Sequence, residues 1–364
     1  MFGMPIPPKR LRPNHGWSLD EYPLDVSIQP SGRLAALGLG DGTIARIDLV
    51  TGARHACFSA HPSGLCSVRW APDGEHLASG GHDGEVRLWR SDGSLEARGV
   101  VDNETPFSPW SEHVAWTPDG PLLASSSGKR VHIWSSRAQL LRSYPPLPST
   151  VTGLSWRPSS ASEGGEPEGP ILAASAYGGV FTYHPDRAVP LREYRWKGSV
   201  ITLAWSPDGR FIATGDQDST VHFWYVRSGR DLQMWGYPSK VSTLAWSPDS
   251  RWLATGGSPG VTVWDCSGPG PEGRKPLVLR GHEELVSALA WQPSGGFLAS
   301  GASDGTVHIW APTLLEWPVG RWEGAGEVTS LNWLPDPRRL LVTTGSGEVV
   351  LLDSKPLKSR VRGL

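Results

Sequence analysis

The 364 residues include 44 Gly and 33 Pro, and Trp occurs 19 times against three Met. Gly and Pro break helices, so this composition excludes a helical bundle and a doubly wound α/β enzyme and points to an all-β chain with many turns. With 34 Lys and Arg against 36 Asp and Glu, and 38% hydrophobic residues, it also excludes disorder and any global field that would capture nucleic acid or an anionic membrane.

In chain order, residues 1–19 form an N-terminal arm with basic residues but no apolar run behind them, unlike a signal peptide. From residue 20 to 353 one unit recurs. DVSIQPSG opens the series with Ile28 where seven later copies have Trp: SVRWAPDG, HVAWTPDG, GLSWRPSS, TLAWSPDG, TLAWSPDS, ALAWQPSG and SLNWLPDP. Those are Trp70, Trp116, Trp156, Trp205, Trp246, Trp291 and Trp333, spaced by 46, 40, 49, 41, 45 and 42 residues.

Each unit runs from an alternating segment into the Trp-x-Pro turn, where Pro and Gly reverse the chain. A small-residue strand follows, such as HLASGG or FIATGD, then a tight Asp-Gly turn as in HDGEV. An apolar strand ending in Trp comes next, as in VRLW or VHIW, and a variable stretch leaves room for a fourth, outer strand. Four antiparallel strands every 40 to 45 residues predict the blades of a propeller. Counting units gives eight blades, with seven as the alternative. Residues 354–364 form a basic C-terminal tail, which competes with residues 9–19 to supply the outer strand that closes the ring. Ser159–Gly169 interrupts the fourth unit, and SGPGPEGRK at 267–275 extends another loop.

The seventh unit, GHEELVSALAWQPSGGFLASGASDGTVHIW, resembles the WD40-repeat family, and the resemblance covers about residues 20 to 353. It implies a structural hydrogen-bonded chain within a blade: a His before the first strand, a Ser or Thr on the second, the turn Asp and the third-strand Trp. Two units match fully, with His61, Ser79, Asp83 and Trp89, and with His282, Ser300, Asp304 and Trp310. The residue types suit such a chain, because Asp fixes the imidazole tautomer, the other ring nitrogen engages the hydroxyl, and the hydroxyl accepts from the indole. Three units carry an aromatic in the His position: Phe107, Trp196 and Tyr237.

Catalytic patterns are sparse. Gly-x-Ser-x-Gly occurs at 256–260 and 301–305, but both copies fall in the turn between a unit's second and third strands and not between a strand and a helix. GLGDG at 38–42 lacks the third glycine of a dinucleotide fingerprint. His55, Cys57, His61 and Cys66, with His82 nearby, carry soft metal-ligand types without a Cys-x-x-Cys spacing. Asn103-Glu104-Thr105 is a formal glycosylation sequon on a surface loop. The reading is of a non-enzymatic chain with no catalytic residue, cofactor or metal. Three scattered cysteines argue against a secreted disulfide scaffold, and the chain reads as cytoplasmic.

The resemblance implies docking through the propeller's top face, where the strand-two-to-three turns and the loops entering strand one lie. From the turns, His82, Tyr177 and Gln217 point there. From the entering loops come Trp110, Trp196, Lys197, Tyr237, Lys240 and Glu284. Trp196 and Tyr237, beside Lys197 and Lys240, form a candidate hot spot; alternatively each packs over its own blade in place of the His. The expected function is a scaffold or adaptor for a protein or peptide partner, not nucleic acid or membrane. Two alternatives are a small-molecule-binding or catalytic central channel, with His82 and Glu112 among its titratable groups, and a metal-homeostasis accessory. The latter follows from GRDLQMWGYPSKVSTLAWSPDSRWLATGG and VWDCSGPGPEG, which resemble bacterial WD40 proteins associated with CobW-type metallochaperone GTPases. The 27 Arg against seven Lys agree with a GC-rich bacterial source.

Overall fold

The Trp-x-Pro segments are tight turns. Gly74 N–H donates to the Ala71 carbonyl at 3.0 Å, Gly209 N–H to Ser206 at 2.8 Å and Gly295 N–H to Gln292 at 2.8 Å. The three glycines adopt φ of +73°, +67° and +78°, the left-handed region that a Cβ disfavours. Ser250 takes the same position in TLAWSPDS at φ +59° and bears that strain. Such turns separate 31 short strands in a computed structural model that describes residues 7–101, 110–159 and 169–357. Phe107, the sequon, most of the Ser159–Gly169 interruption and the tail beyond residue 357 lie outside the described residues.

The chain divides into two units, residues 1–22, 219–221 and 234–364 in one and residues 23–218 and 222–233 in the other. The first begins with β1 (Lys9–Arg10) and β2 (Pro13–Ser18). In the second, β3 (Pro23–Ile28), β4 (Leu34–Leu39), β5 (Thr43–Asp48) and β6 (Arg54–Ser59) form one antiparallel sheet. A second holds β7 (Leu65–Trp70), β8 (His76–Gly81), β9 (Val86–Arg90) and β10 (Leu95–Gly99). A third holds β11 (Ser111–Trp116), β12 (Leu123–Ser127), β13 (Arg130–Trp134) and β14 (Leu140–Ser143). Then β15 (Gly153–Trp156), β16 (Leu172–Tyr183), β17 (Arg192–Trp205), β18 (Phe211–Asp216), β19 (Val221–Tyr225) and β20 (Asp231–Met234) form a single six-stranded sheet.

In the first unit, β21 (Leu244–Trp246), β22 (Trp252–Thr255), β23 (Val261–Asp265) and β24 (Leu277–Leu279) make one sheet. The next contains β25 (Val286–Trp291), β26 (Leu298–Ala302), β27 (Thr306–Trp310) and β28 (Gly320–Glu323), with β1 added in parallel on β28. The last contains β29 (Val328–Trp333), β30 (Arg339–Thr344) and β31 (Glu348–Asp353), and β2 is its outer strand, antiparallel to β31. A short 3-10 turn, Lys355–Leu357, follows, and Leu357 is buried with Leu11 in the same apolar cluster.

The eight separate blades expected from the units are corrected to seven sheets, the alternative number. The reason lies in β17. Its Arg192–Arg195 segment pairs with β16 and its Val200–Trp205 segment with β18. Where another unit breaks for an entering loop, this strand carries Trp196, Lys197 and Gly198 through as a bulge.

Burial follows strand order. Second strands such as β4, β8, β12, β18 and β26 are almost wholly buried, which is why they read as Ala, Ser, Thr and Gly: both faces pack against protein. Outer strands such as β6 and β14 are mostly exposed. First strands share a bulge near their start. It falls at Leu24 in β3, Cys66 in β7, Glu112–His113 in β11, Ile201 in β17, Ser287 in β25 and Thr329 in β29, and a bulge re-aims the side chain it carries. Among the described residues no helix is long and apolar enough to cross a membrane.

Candidate functional site

The two full His-Ser-Asp-Trp sets are assembled, but not identically. His61 Nδ1–H donates to Asp83 at 2.8 Å, Ser79 bridges to Nε2 at 2.8 Å, and Trp89 Nε1–H donates to the Ser79 hydroxyl at 2.9 Å. Arg87 also donates to Asp83, at 2.8 Å. In the other set Ser300 joins His282 Nε2 at 2.6 Å and Trp310 donates to Ser300 at 2.7 Å. Here the hydroxyl of Thr306 stands between imidazole and carboxylate, 2.9 Å from His282 Nδ1 and 2.7 Å from Asp304. Sequence reasoning missed this relay. The equivalent residue in the first set is Glu85, whose carboxylate instead turns to Arg87 at 2.7 Å.

Burial holds both imidazoles neutral. It pushes His61 below the ordinary range against the pull of Asp83, and pushes His282 down to about 4 against that of Asp304. These groups are consumed in holding strands together. The serines of the Gly-x-Ser-x-Gly patterns are turn residues: Ser258 donates to the Gly260 carbonyl at 2.5 Å.

The aromatic replacements pack over their own sheets. Tyr237 is half-buried; its hydroxyl lies 2.7 Å from Thr255 Oγ1 and accepts from Trp264 Nε1–H at 2.9 Å. It thus rebuilds the hydroxyl-indole chain with a phenol in place of imidazole and serine. Trp196 lies over His222, ring centroids 3.8 Å apart, and packs on the Trp205 and Trp224 cluster. These contacts are those of the alternative in which each aromatic packs over its own blade; both rings stay partly exposed, and Lys197 and Lys240 beside them are exposed.

The signature tryptophans have a role that the motif did not reveal. Trp116 Nε1–H donates to the Arg69 carbonyl at 3.1 Å, Trp156 to Ala115 at 2.9 Å and Trp205 to Ser155 at 3.1 Å. In the other unit Trp291 donates to Ala245 and Trp333 to Ala290, both at 3.1 Å. Each acceptor directly precedes the preceding copy's Trp, so in these five repeats one indole clamps neighbouring first strands in register.

Of the remaining expected partner-facing residues, Gln217 and Glu284 are exposed and Tyr177 is 47% exposed. His82 and Trp110 are brought together, their rings stacked at 4.0 Å and 26°. Gly64 makes room for His82: at φ +118° a Cβ there would lie 2.6 Å from His82 Nδ1, which instead meets the Ser63 carbonyl at 3.0 Å. Glu112 lies in the β11 bulge. Burial raises its carboxyl above the usual range, with His82 opposing, and burial chiefly, then Glu112 and Asp83, pushes the Cys66 thiol up to about 11. The residues of the weighed metal cluster are dispersed in role. His61 belongs to its structural chain, Cys57 is exposed beside Arg54, and among the described residues no group of three or more His, Cys, Asp or Glu is placed to hold a metal ion.

The WD40 family description "WD domain, G-beta repeat" matches residues 52–90, 112–135, 189–225, 230–265 and 273–311. The WD repeat-containing protein slp1 of Schizosaccharomyces pombe is 31% identical over 181 residues, 47% of this chain and 35% of that protein. Protein FIZZY-RELATED 1 of Arabidopsis thaliana is 26% identical over 54% of this chain and 40% of its own length. The B-type cell cycle switch protein ccs52A of Medicago truncatula is 28% identical over 46% of this chain and 34% of its own length. The chain therefore spans 34% to 40% of these relatives. All three are eukaryotic, so the expected bacterial affiliation, and with it the CobW link, is unsupported. In fold, the chain is similar to the crystal structure of the computationally designed Ika8 protein, with a TM-score of 0.76 at 21% identity over 94% of this chain and 99% of that one. With the indole-hydroxyl chains in place and the family pattern recurring in both units, the chain carries WD40 repeats in an all-β propeller fold of antiparallel blades.

Proposed function

We propose that this chain is a non-enzymatic adaptor that binds a protein or peptide partner through side chains at the strand-two-to-three turns and strand-one entrances. One observation carries the reading. The repeated polar groups are absorbed into structural chains, while the same ends of the sheets present a non-repeating exposed set that includes Trp110, at 52%, and Tyr177, at 47%. Exposed aromatics on a rigid scaffold are what protein interfaces concentrate. Relatives that carry the names WD repeat-containing protein and cell cycle switch protein support a regulatory adaptor over an enzyme.

The test is affinity capture from the source cells with wild type and a Trp110→Ala/Tyr177→Ala variant whose melt is unchanged. A partner retained by wild type and lost by the variant is expected. A variant that retains every partner overturns the assignment of this end of the sheets.

A further inference from the structure

The surface around Trp110 has a property the repeat does not explain. Among the described residues, one carboxylate oxygen of Glu112 is buried without a hydrogen-bond partner, and no Lys or Arg pairs with that side chain. A carboxylate with one oxygen buried and unpaired is poorly solvated, and because Glu112 as a whole is only partly buried, a cation brought to its open side offsets that cost. Two residues earlier in the chain, the indole of Trp110 is 52% exposed although His82 covers one of its faces. An open indole face next to a carboxylate attracts a planar cation on two counts: the ring quadrupole and the negative charge.

We propose that this site receives an arginine side chain of a protein partner, the guanidinium lying on the open face of Trp110 and donating to Glu112. The proposal rests on the adaptor reading and gives its partner a chemistry. Arginine fits better than lysine because its guanidinium is flat, stacks on an aromatic face and presents a fork of donors to a carboxylate. A metal ion does not fit: among the described residues, Glu112, His82 and Cys66 are not placed as a ligand set. Neighbouring elements supply the frame. Gly64 lets His82 approach, His82 holds the indole from one side, and Glu112 stands in the β11 bulge that follows Trp110.

The probe is an acetylated and amidated Ala-Ala-Arg-Ala-Ala pentapeptide, titrated calorimetrically into the full chain, with Lys and Gln in the central position as controls. The arginine peptide is expected to bind more tightly than the lysine peptide, and the glutamine peptide not measurably. Glu112→Gln, which keeps the shape and removes the charge, and Trp110→Ala, at an exposed position, should each weaken arginine binding by about tenfold, as expected for losing one charge-assisted bond or one desolvated cation–π contact. Thermal melts confirm that both variants are folded. Equal binding of the glutamine peptide, or arginine binding unchanged in both variants, overturns the proposal. Should that happen while partner capture still depends on Trp110 and Tyr177, the arginine chemistry fails and the adaptor reading stands.

Discussion

Tyr237 shows how a departure from a repeat can keep its physics. Its hydroxyl accepts from Trp264 and meets Thr255, so Tyr237→Phe should leave a partly buried indole N–H without an acceptor and cost about 1–3 kcal/mol. A urea midpoint lowered with unchanged slope is the expected result; an interface tyrosine with a free hydroxyl would leave the midpoint where it was. His282→Ala should lose a similar amount, about 1–3 kcal/mol, because Ser300 and Thr306 both lose their imidazole partner. The members of the full chains were legible because the repeat sets their spacing. The Thr306 relay was not: whether the Asp reaches the imidazole depends on one side chain at the turn, and Glu85 and Thr306 offer different chemistry there. The stacking of His82 on Trp110 was equally hidden, since it joins the turn of one sheet to the entrance of the next.

At the scale of elements, β1 and β2 decide the state of two sheet edges. β2 covers β31 over Pro13–Ser18, and β1 lies on β28 while Leu11 enters the apolar cluster with Val319, Trp322 and Leu357. Deleting residues 1–18 would uncover the N–H and C=O groups of β31, and an uncovered edge pairs with other chains. The truncated protein is expected to melt lower and to scatter light on standing, and a melt and scattering trace equal to full length would refute this. Strand order within each repeat was legible from the alternation, the Trp-x-Pro turn and the Asp-Gly turn. The merging of β15–β20 was less so, although a signal exists: between Arg192 and Trp205 the only breaker is Gly198, and one glycine is insufficient to end a strand that both neighbours continue to hydrogen-bond.

For the whole molecule, the buried imidazoles set an acid limit. Burial holds His282 and His132 at about 4 and His308 at about 3, and lowers His61 and His222 as well. An unfolded histidine titrates near 6.5, so between about pH 6.5 and 4 the unfolded chain binds more protons and stability falls as pH falls. Below that, carboxylates held low by hydrogen bonds, such as Asp48 at about 2, extend the loss. Melting temperature should therefore decline steadily from pH 7 to 4, and a flat profile would show that these histidines titrate alike in the folded and unfolded chain. The pairing of β2 with β31 also constrains the growing chain. Residues 13–18 emerge from the ribosome long before residues 348–353 exist, so no nascent chain can complete that sheet. The outer strand must wait unpaired until those residues do, and completing this sheet joins an early-made segment of the polypeptide to one made about 330 residues later.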